Sequence, residues 1–454
     1  MPLVSINPAT GALLGEYREM SPTEWMPLIA NVAAAADRWQ TTAFRERTAR
    51  MVRLAELLRA DRERLGRLIT TEMGKPLTQA IAEVEKCAWV CEYYAAKAEE
   101  FLAPEIIPTE MSHSAVVVRP LGVVLAVMPW NFPFWQVFRF AAPGLMAGNG
   151  ALLKHASNVS GCALAIEELF RDASFPENLF RTLLIGSGQV AAVIDHPLVR
   201  AVTLTGSTPA GQAVATRAGA ALKKTVLELG GSDPYLILAD ADLEQAATAC
   251  VFARLLNGGQ SCIAAKRFIV VAPVAAEFEK LLVAKMSEKT IGNPLTAVDL
   301  GPLARPDLRN ELQRQVDGSI AAGARLLLGG KIPAGPGAFY PPTVLTAVSP
   351  GQPAFDEELF GPVAAVCVAE DENAALELAN RSDFGLGAAV FTRDVERGRK
   401  IAEDLLTAGC CFVNDFVRSD PRLPFGGIKM SGYGRELGRQ GIREFVNIKT
   451  VCVK

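Results

Sequence analysis

Histidine is nearly absent, with three residues in 454, and the nine cysteines include no Cys-x-x-Cys pair. Zinc sites draw on closely spaced Cys and His ligands, so no metal site is expected, and the scattered thiols do not form a disulfide framework. A reducing, cytoplasmic setting is the expectation. An excess of one charge is lacking too: 46 basic residues meet 49 acidic ones, for a net charge of −3. That balance gives no electrostatic reason to expect nucleic acid as a partner. The first eight residues, Met1 to Pro8, have neither the basic nor the apolar region of a signal peptide. Leu121 to Phe138 has no charged residue and approaches the length of a membrane span. It holds Pro129, Asn131 and Pro133 and is closed by Arg139, so it predicts a strand entering a Pro-bracketed loop and no membrane partner.

Half of the residues are hydrophobic and 21% are charged, a globular composition long enough for two or three domains. Helical spacing of apolar residues predicts helices over Pro22 to Trp39, Phe44 to Met73 and Leu77 to Phe101. Ala115 to Val118 reads as a strand within an extended stretch. From Gly122 the pattern alternates, with strands near 122–127, 151–154, 182–186, 201–205 and 224–228 and helices between them. A second series follows Gly231, with strands near Tyr235–Leu238, Arg267–Val271, Val363–Val368, Gly387–Phe391 and Cys411–Asn414, and Phe445 to Val453 closes the chain. Alternation of this kind predicts an α/β fold with open parallel sheets, whose ligands sit at the carboxyl ends of the strands.

Two short stretches carry chemistry. Gly258-Gly259-Gln260-Ser261-Cys262 sets a thiol in a loop whose glycines allow a ligand close to the backbone. Glu228 ends the apolar run Thr225-Val226-Leu227 and precedes Gly230-Gly231, a place where a carboxylate can serve as general base. Either motif alone also fits a packed cysteine or a surface glutamate. Asn131, in Pro129-Trp130-Asn131-Phe132-Pro133 after a strand, can donate to a carbonyl oxygen or simply support the turn. Gly186-Ser187-Gly188 is only part of a dinucleotide fingerprint. Gly206-Ser207-Thr208-Pro209-Ala210-Gly211 opens a helix, where free N–H groups suit a pyrophosphate but where Ser and Pro also serve as ordinary capping residues.

Glu228-Leu229-Gly230-Gly231 followed by Gly259-Gln260-Ser261-Cys262 resembles the aldehyde dehydrogenase superfamily, and the likeness runs from about residue 5 to the C-terminus. The resemblance implies a Rossmann-type dinucleotide-binding domain over 1–105 and 120–230 and an α/β catalytic domain over 231–428. It also implies a small β oligomerisation arm from 106–119 and 444–454, hence a homo-oligomer, dimer or tetramer. It makes Cys262 the nucleophile, Glu228 the general base and Asn131 the oxyanion donor. NAD or NADP would be held by Trp130, Lys154, Ser157, Gly186, Ser207, Glu358 and Phe360. Many NAD-preferring members carry Glu where this chain has Ser157, so NADP is expected to be tolerated. Asn414 and the segment through Ser431-Gly432 match the part of the family that shapes the aldehyde tunnel.

For the substrate, Arg139 matches an arginine that binds the far carboxylate in succinate-semialdehyde dehydrogenases, and Ser419 is expected to help. A second arginine of those enzymes is Leu256 here, with Arg254 nearby as a candidate replacement. The resemblance therefore implies oxidation of an aldehyde, succinate semialdehyde before other semialdehydes or aliphatic aldehydes. A CoA-acylating branch lacks a base at the position of Glu228, and a non-catalytic member would not need all of Cys262, Glu228 and Asn131. Cys87, Cys91, Cys410 and Cys411 are expected to pack, and Ser261 stands where some relatives carry a second thiol.

Overall fold

The computed structural model describes residues 2–454. One sheet has six strands in the order Gly432–Tyr433, Lys224–Glu228, Val199–Thr205, Val123–Met128, Gly150–His155 and Phe180–Thr182. All neighbours are parallel except Gly432–Tyr433, which runs back along Lys224–Glu228. A second sheet has seven strands: Arg325–Leu328, Thr343–Thr346, Val363–Ala369, Ala265–Val271, Asp233–Ile237, Gly387–Phe391 and Cys410–Val413. Only the Arg325–Leu328 edge is antiparallel. Parallel pairs need crossovers, and helices such as Trp135–Met146 and Thr208–Ala220 supply them and cover the sheets. Central strands are consequently buried along their whole length, as in Ala265–Val271.

Gly230 and Gly231 lie between Lys224–Glu228 of the first sheet and Asp233–Ile237 of the second. Close approach explains the pair of glycines. A Cβ on Gly230 would meet Glu358 Oε2 at 2.4 Å, and one on Gly231 would meet the Cys262 carbonyl at 2.7 Å. Leu121 to Phe138 forms the strand Val123–Met128, a loop and the start of the Trp135–Met146 helix. No helix among the described residues is long and apolar enough to cross a membrane.

Several expectations need correction. The helix expected over Phe44 to Met73 is two, Phe44–Ala60 and Arg62–Met73. Asp61 leaves helical geometry between them (φ −106°, ψ 11°), and its carboxylate accepts from Arg64 Nε at 2.7 Å. The strand expected near 182–186 is Phe180–Thr182. Past it, the N–H of Gly186 donates to Glu19 and the chain turns away. Two short strand pairings had no sequence reading: Leu3–Ile6 with Leu13–Tyr17, and the edge strand Arg325–Leu328 with Thr343–Thr346. Each has only four or five residues, too few to show a clear period.

His113–Pro120 pairs antiparallel with Val446–Val453 over eight residues, and with Glu105–Ile106 on its other edge. This three-stranded ribbon stands apart from both large sheets and exposes Ile106 and Ile448.

The Leu77–Phe101 helix ties the first sheet to the site. Ala80, Val84, Cys87, Cys91, Tyr94 and Ala98 recur every three or four residues and are buried in the core. On an adjacent stripe, Glu83 accepts from Lys75 Nζ at 2.5 Å and from the N–H groups of Phe134 and Trp135 at 2.8 and 3.0 Å. A carboxylate thus caps the start of the Trp135–Met146 helix, where free N–H groups favour negative charge. Lys75 is fully buried, with Nζ 3.9 Å from the centroid of the Phe132 ring. Removing one member of a buried pair strands the other. Lys75→Met should therefore cost about 3–5 kcal/mol of stability in urea unfolding. A cost within the ~0–1 kcal/mol of exposed pairs would show the pair to be dispensable.

Candidate active site

The catalytic-loop geometry begins with three consecutive residues at positive φ: Asn257 (57°), Gly258 (64°) and Gly259 (75°). At Gly259 a side chain is excluded twice over, by the backbone conformation and by the Gly361 carbonyl 2.3 Å from any Cβ. The turn delivers Cys262 to the junction of two cavities. One lies at the carboxyl ends of the first sheet's strands, lined by Trp130, Asn131, Ser207, Gly230, Glu358 and Phe360. The other is lined by Phe132, Trp135, Arg139, Leu256, Ser419 and Phe425, among others. Cys262 lines both.

The loop is fastened from below by Lys266, wholly buried, which donates to the carbonyls of Ser261 (2.9 Å) and Cys262 (2.7 Å). Lys266 also pairs with Glu358 at 3.4 Å, and Glu358 accepts the Gly231 N–H at 3.0 Å. The Asn131 amide donates to the Gln260 carbonyl at 3.1 Å, and Asn257 ties the same carbonyl to that of Asn131. An amide has two N–H donors, so one remains for a ligand oxygen. The backbone N–H of Cys262 has no acceptor among the described residues. Both residues line the first cavity, which leaves two free donors beside the thiol. His155 steadies this loop from its far side, with Nε2 2.8 Å from the Pro133 carbonyl. Burial lowers its pKa to about 4, so the ring is neutral and Nε2–H donates while Nδ1 faces the Ala156 N–H.

Glu228 ends its strand as expected and is fully buried, with neither carboxylate oxygen hydrogen-bonded. Burial pushes its pKa well above the usual range, and the Arg139 cation only partly opposes this. Burial also pushes the Cys262 thiol up to about 12, against Arg139 and Lys266. Burial thus biases both acid and thiol toward their protonated forms, and each becomes more reactive as pH rises.

The first cavity suits a nicotinamide dinucleotide. Ser207 precedes the 13-residue helix Thr208–Ala220 and makes no side-chain capping bond, which leaves its hydroxyl for a phosphate. Trp130 and Phe360 meet edge to face at 5.7 Å and wall one end, beside the Glu358 carboxylate. Lys154, Ser157 and Gly186 do not line this cavity. Lys154 and Ser157 sit at the end of Gly150–His155, with Ser157 exposed and Lys154 partly buried. The Gly186 N–H is already donated to Glu19 at 2.7 Å.

In the second cavity Arg139 is present but buried, paired with Glu436 and donating to Thr205 at 3.3 Å. Ser419 accepts from Lys86 Nζ at 2.8 Å. Arg254 does not replace the missing arginine. It is fully buried on the other side of the loop and donates to the Gly259 carbonyl at 2.6 Å, while Leu256 lines the cavity. Asn414 is likewise elsewhere, bonded through its amide to the backbone of Thr392. Lys86, Lys266, His155 and Glu436 had no sequence reading. Each lies on an ordinary strand, helix or turn, and only tertiary packing shows its partner. Cys87 and Cys91 pack in the core as expected, and all nine cysteines are free thiols.

The raised thiol pKa can be read directly. Iodoacetamide labelling of Cys262, followed by peptide mapping, should accelerate about tenfold per pH unit from about pH 7 to about pH 10, because thiolate is the nucleophile. A plateau below about pH 9 would mean the loop stabilises the thiolate.

The aldehyde dehydrogenase family model matches residues 2–451. A Synechocystis sp. protein named probable succinate-semialdehyde dehydrogenase, NADP(+), is 50% identical over 454 residues and 100% of both chains. An Escherichia coli succinate semialdehyde dehydrogenase, NAD(P)+, is 47% identical over 449 residues, 99% of this chain and 97% of its own. The crystal structure of succinic semialdehyde dehydrogenase from Streptococcus pyogenes in complex with NADP+ superposes with a TM-score of 0.97 at 36% identity, over 99% of each chain. With a thiol held between two cavities and full-length likeness in both sequence and structure, this chain belongs to the aldehyde dehydrogenase family.

Proposed function

We propose that the protein oxidises succinate semialdehyde to succinate with NADP or NAD as acceptor. The observation that carries this reading is the meeting of a dinucleotide-shaped cleft and a cation-bearing tunnel at Cys262. Relatives at 50% and 47% identity with that activity in their names support the substrate.

Cys262 as thiolate attacks the aldehyde carbon. Asn131 and the Cys262 N–H hold the oxyanion, each worth about 2.7–4 kcal/mol. A bound nicotinamide supplies the hydride acceptor, with Trp130, Ser207, Glu358 and Phe360 holding it in the cleft and Lys154, Ser157 and Gly186 toward its adenosine end. After hydride loss Cys262 carries a thioester, and Glu228 takes a proton from the water that releases the acid. The substrate's carboxylate lies on the cationic side of the tunnel, near Ser419. Residues 1–105 and 120–230 serve as the cofactor domain and 231–428 as the catalytic domain. The ribbon from 106–119 and 444–454 joins subunits of a cytoplasmic homo-oligomer, which would cover Ile106 and Ile448.

Glu228→Gln should slow steady-state turnover by about 10²–10⁴-fold. A stopped-flow burst of reduced cofactor should survive, because only thioester hydrolysis needs the base. In the wild type, steady-state turnover should rise with pH as Glu228 loses its proton, over a range shifted above that of an ordinary carboxylate because burial raises its pKa. Full turnover in the variant would remove Glu228 from the role.

Ser157→Glu sets a carboxylate where a 2′-phosphate would bind, and like charges repel most in partly desolvated sites. The substitution should lower kcat/KM for NADP far more than for NAD. Equal losses would show that residue 157 does not read the 2′ group.

A further inference from the structure

The tunnel wall carries three cations, and two are already matched. Arg139 is ion-paired with Glu436, and its guanidinium stacks 4.9 Å from the Phe425 ring centroid. Arg418 pairs with Asp415 at 2.7 Å and stacks on Phe416 at 4.9 Å. The one carboxylate among the lining residues, Glu83, is held by Lys75 and by the N–H groups of Phe134 and Trp135. Lys86 is the exception. Among the described residues no carboxylate lies within ion-pair distance of it. Its Nζ donates to Ser419 Oγ at 2.8 Å and sits 4.3 Å from the Trp135 ring centroid. An ammonium has three donors, so two remain for a ligand. A partly buried cation without a counter-charge is costly, and a substrate carboxylate would remove that cost.

We propose that Lys86, together with Ser419, binds the far carboxylate of the substrate, and that this lysine takes the place of the arginine replaced by Leu256. The inference rests on the acid-ended aldehyde reading above and names the residue that enforces it. Arg139 lines the tunnel, but its charge is engaged by Glu436.

A second property follows from the surroundings of Lys86. Burial lowers its pKa to about 8, and Arg139 from the neighbouring helix adds to the fall. Glu83 and Cys87 on its own helix and Asp420 in the facing loop act in the opposite direction. Lys86 therefore loses its proton as pH rises through about 8 in the free enzyme. Discrimination for the acid-ended aldehyde should fall over the same range.

The experiment measures kcat/KM for succinate semialdehyde and for butanal, which lacks the carboxylate, in wild type, Lys86→Met and Lys86→Arg. The ratio of the two cancels the shared titration of Cys262. Wild type should favour the acid. Lys86→Met should shrink the ratio by about 10–100-fold, the scale of a hydrogen bond to a charged group, and Lys86→Arg should restore most of it. From about pH 7 to about pH 9 the wild-type ratio should fall while that of Lys86→Arg stays level, because guanidinium does not titrate there. If wild type shows no preference for the acid, the substrate reading fails and this inference with it. If wild type shows the preference and Lys86→Met keeps it, the substrate reading stands and Lys86 is not the anchor. Equal losses on both aldehydes in Lys86→Met would make Lys86 structural and overturn the inference. Should Lys86→Met fail to fold, the pH profiles of wild type and Lys86→Arg decide: a wild-type ratio that is flat through pH 8 overturns it.

Discussion

A single buried ammonium fixes the working centre. Lys266 donates to two successive carbonyls of the catalytic loop and faces Glu358. Lysine is seldom buried unless its charge is compensated, and here the compensation is the site itself. The carbonyls of Ser261 and Cys262 turn toward Nζ, which leaves the Cys262 N–H directed elsewhere without an acceptor. Glu358 in turn reaches the Gly231 N–H, at a point where any side chain on Gly230 would block it. Cys262, its N–H and Glu358 are thus set by one network that spans the junction of the two sheets. Preorganisation of this kind is what makes donors effective when charge develops.

Rigidity on the first sheet's side comes from another buried pair. Lys75 and Glu83 hold the Phe132–Trp135 turn and His155 holds the Pro133 carbonyl within it, so the chain immediately after Asn131 is anchored twice. Neither pair touches a reacting atom. Both limit how far Asn131 can drift from the thiol, and small displacements at such a distance are expensive in rate.

Legibility in the sequence divided along physical lines. Glu228 ends a strand, Asn131 follows one and Cys262 sits in a glycine loop, so local punctuation could single them out, while only the family resemblance gave them roles. The parallel strands were legible for the same reason, as uninterrupted apolar runs between turn signals. Asp61 interrupts a predicted helix although it looks ordinary in sequence, and strands of four or five residues gave no period to read. Arg254 illustrates the harder problem. Proximity in sequence to the loop suggested a tunnel residue, yet helix geometry turns it to the loop's back, against the Gly259 carbonyl. Lys86 shows the converse: 333 positions separate it from Ser419, and only the packed fold brings the two within a hydrogen bond.

Electrostatics give Arg139 a task other than the substrate contact expected from the sequence. Arg139 faces three groups that burial keeps protonated or costly to ionise. It pairs with Glu436 and lowers the pKa of both Glu228 and Cys262. Without that cation, burial alone would hold base and nucleophile further from their reactive forms, since desolvation is the largest influence on each. A guanidinium cannot be titrated near neutral pH, so the counter-charge stays constant while thiol and carboxyl change state. Spending it on the substrate carboxylate would weaken its hold on both groups at the moment of reaction. An unpaired ammonium at the other side of the tunnel carries no such obligation. On the proposed reading, the arginine serves the chemistry and recognition is left to the lysine.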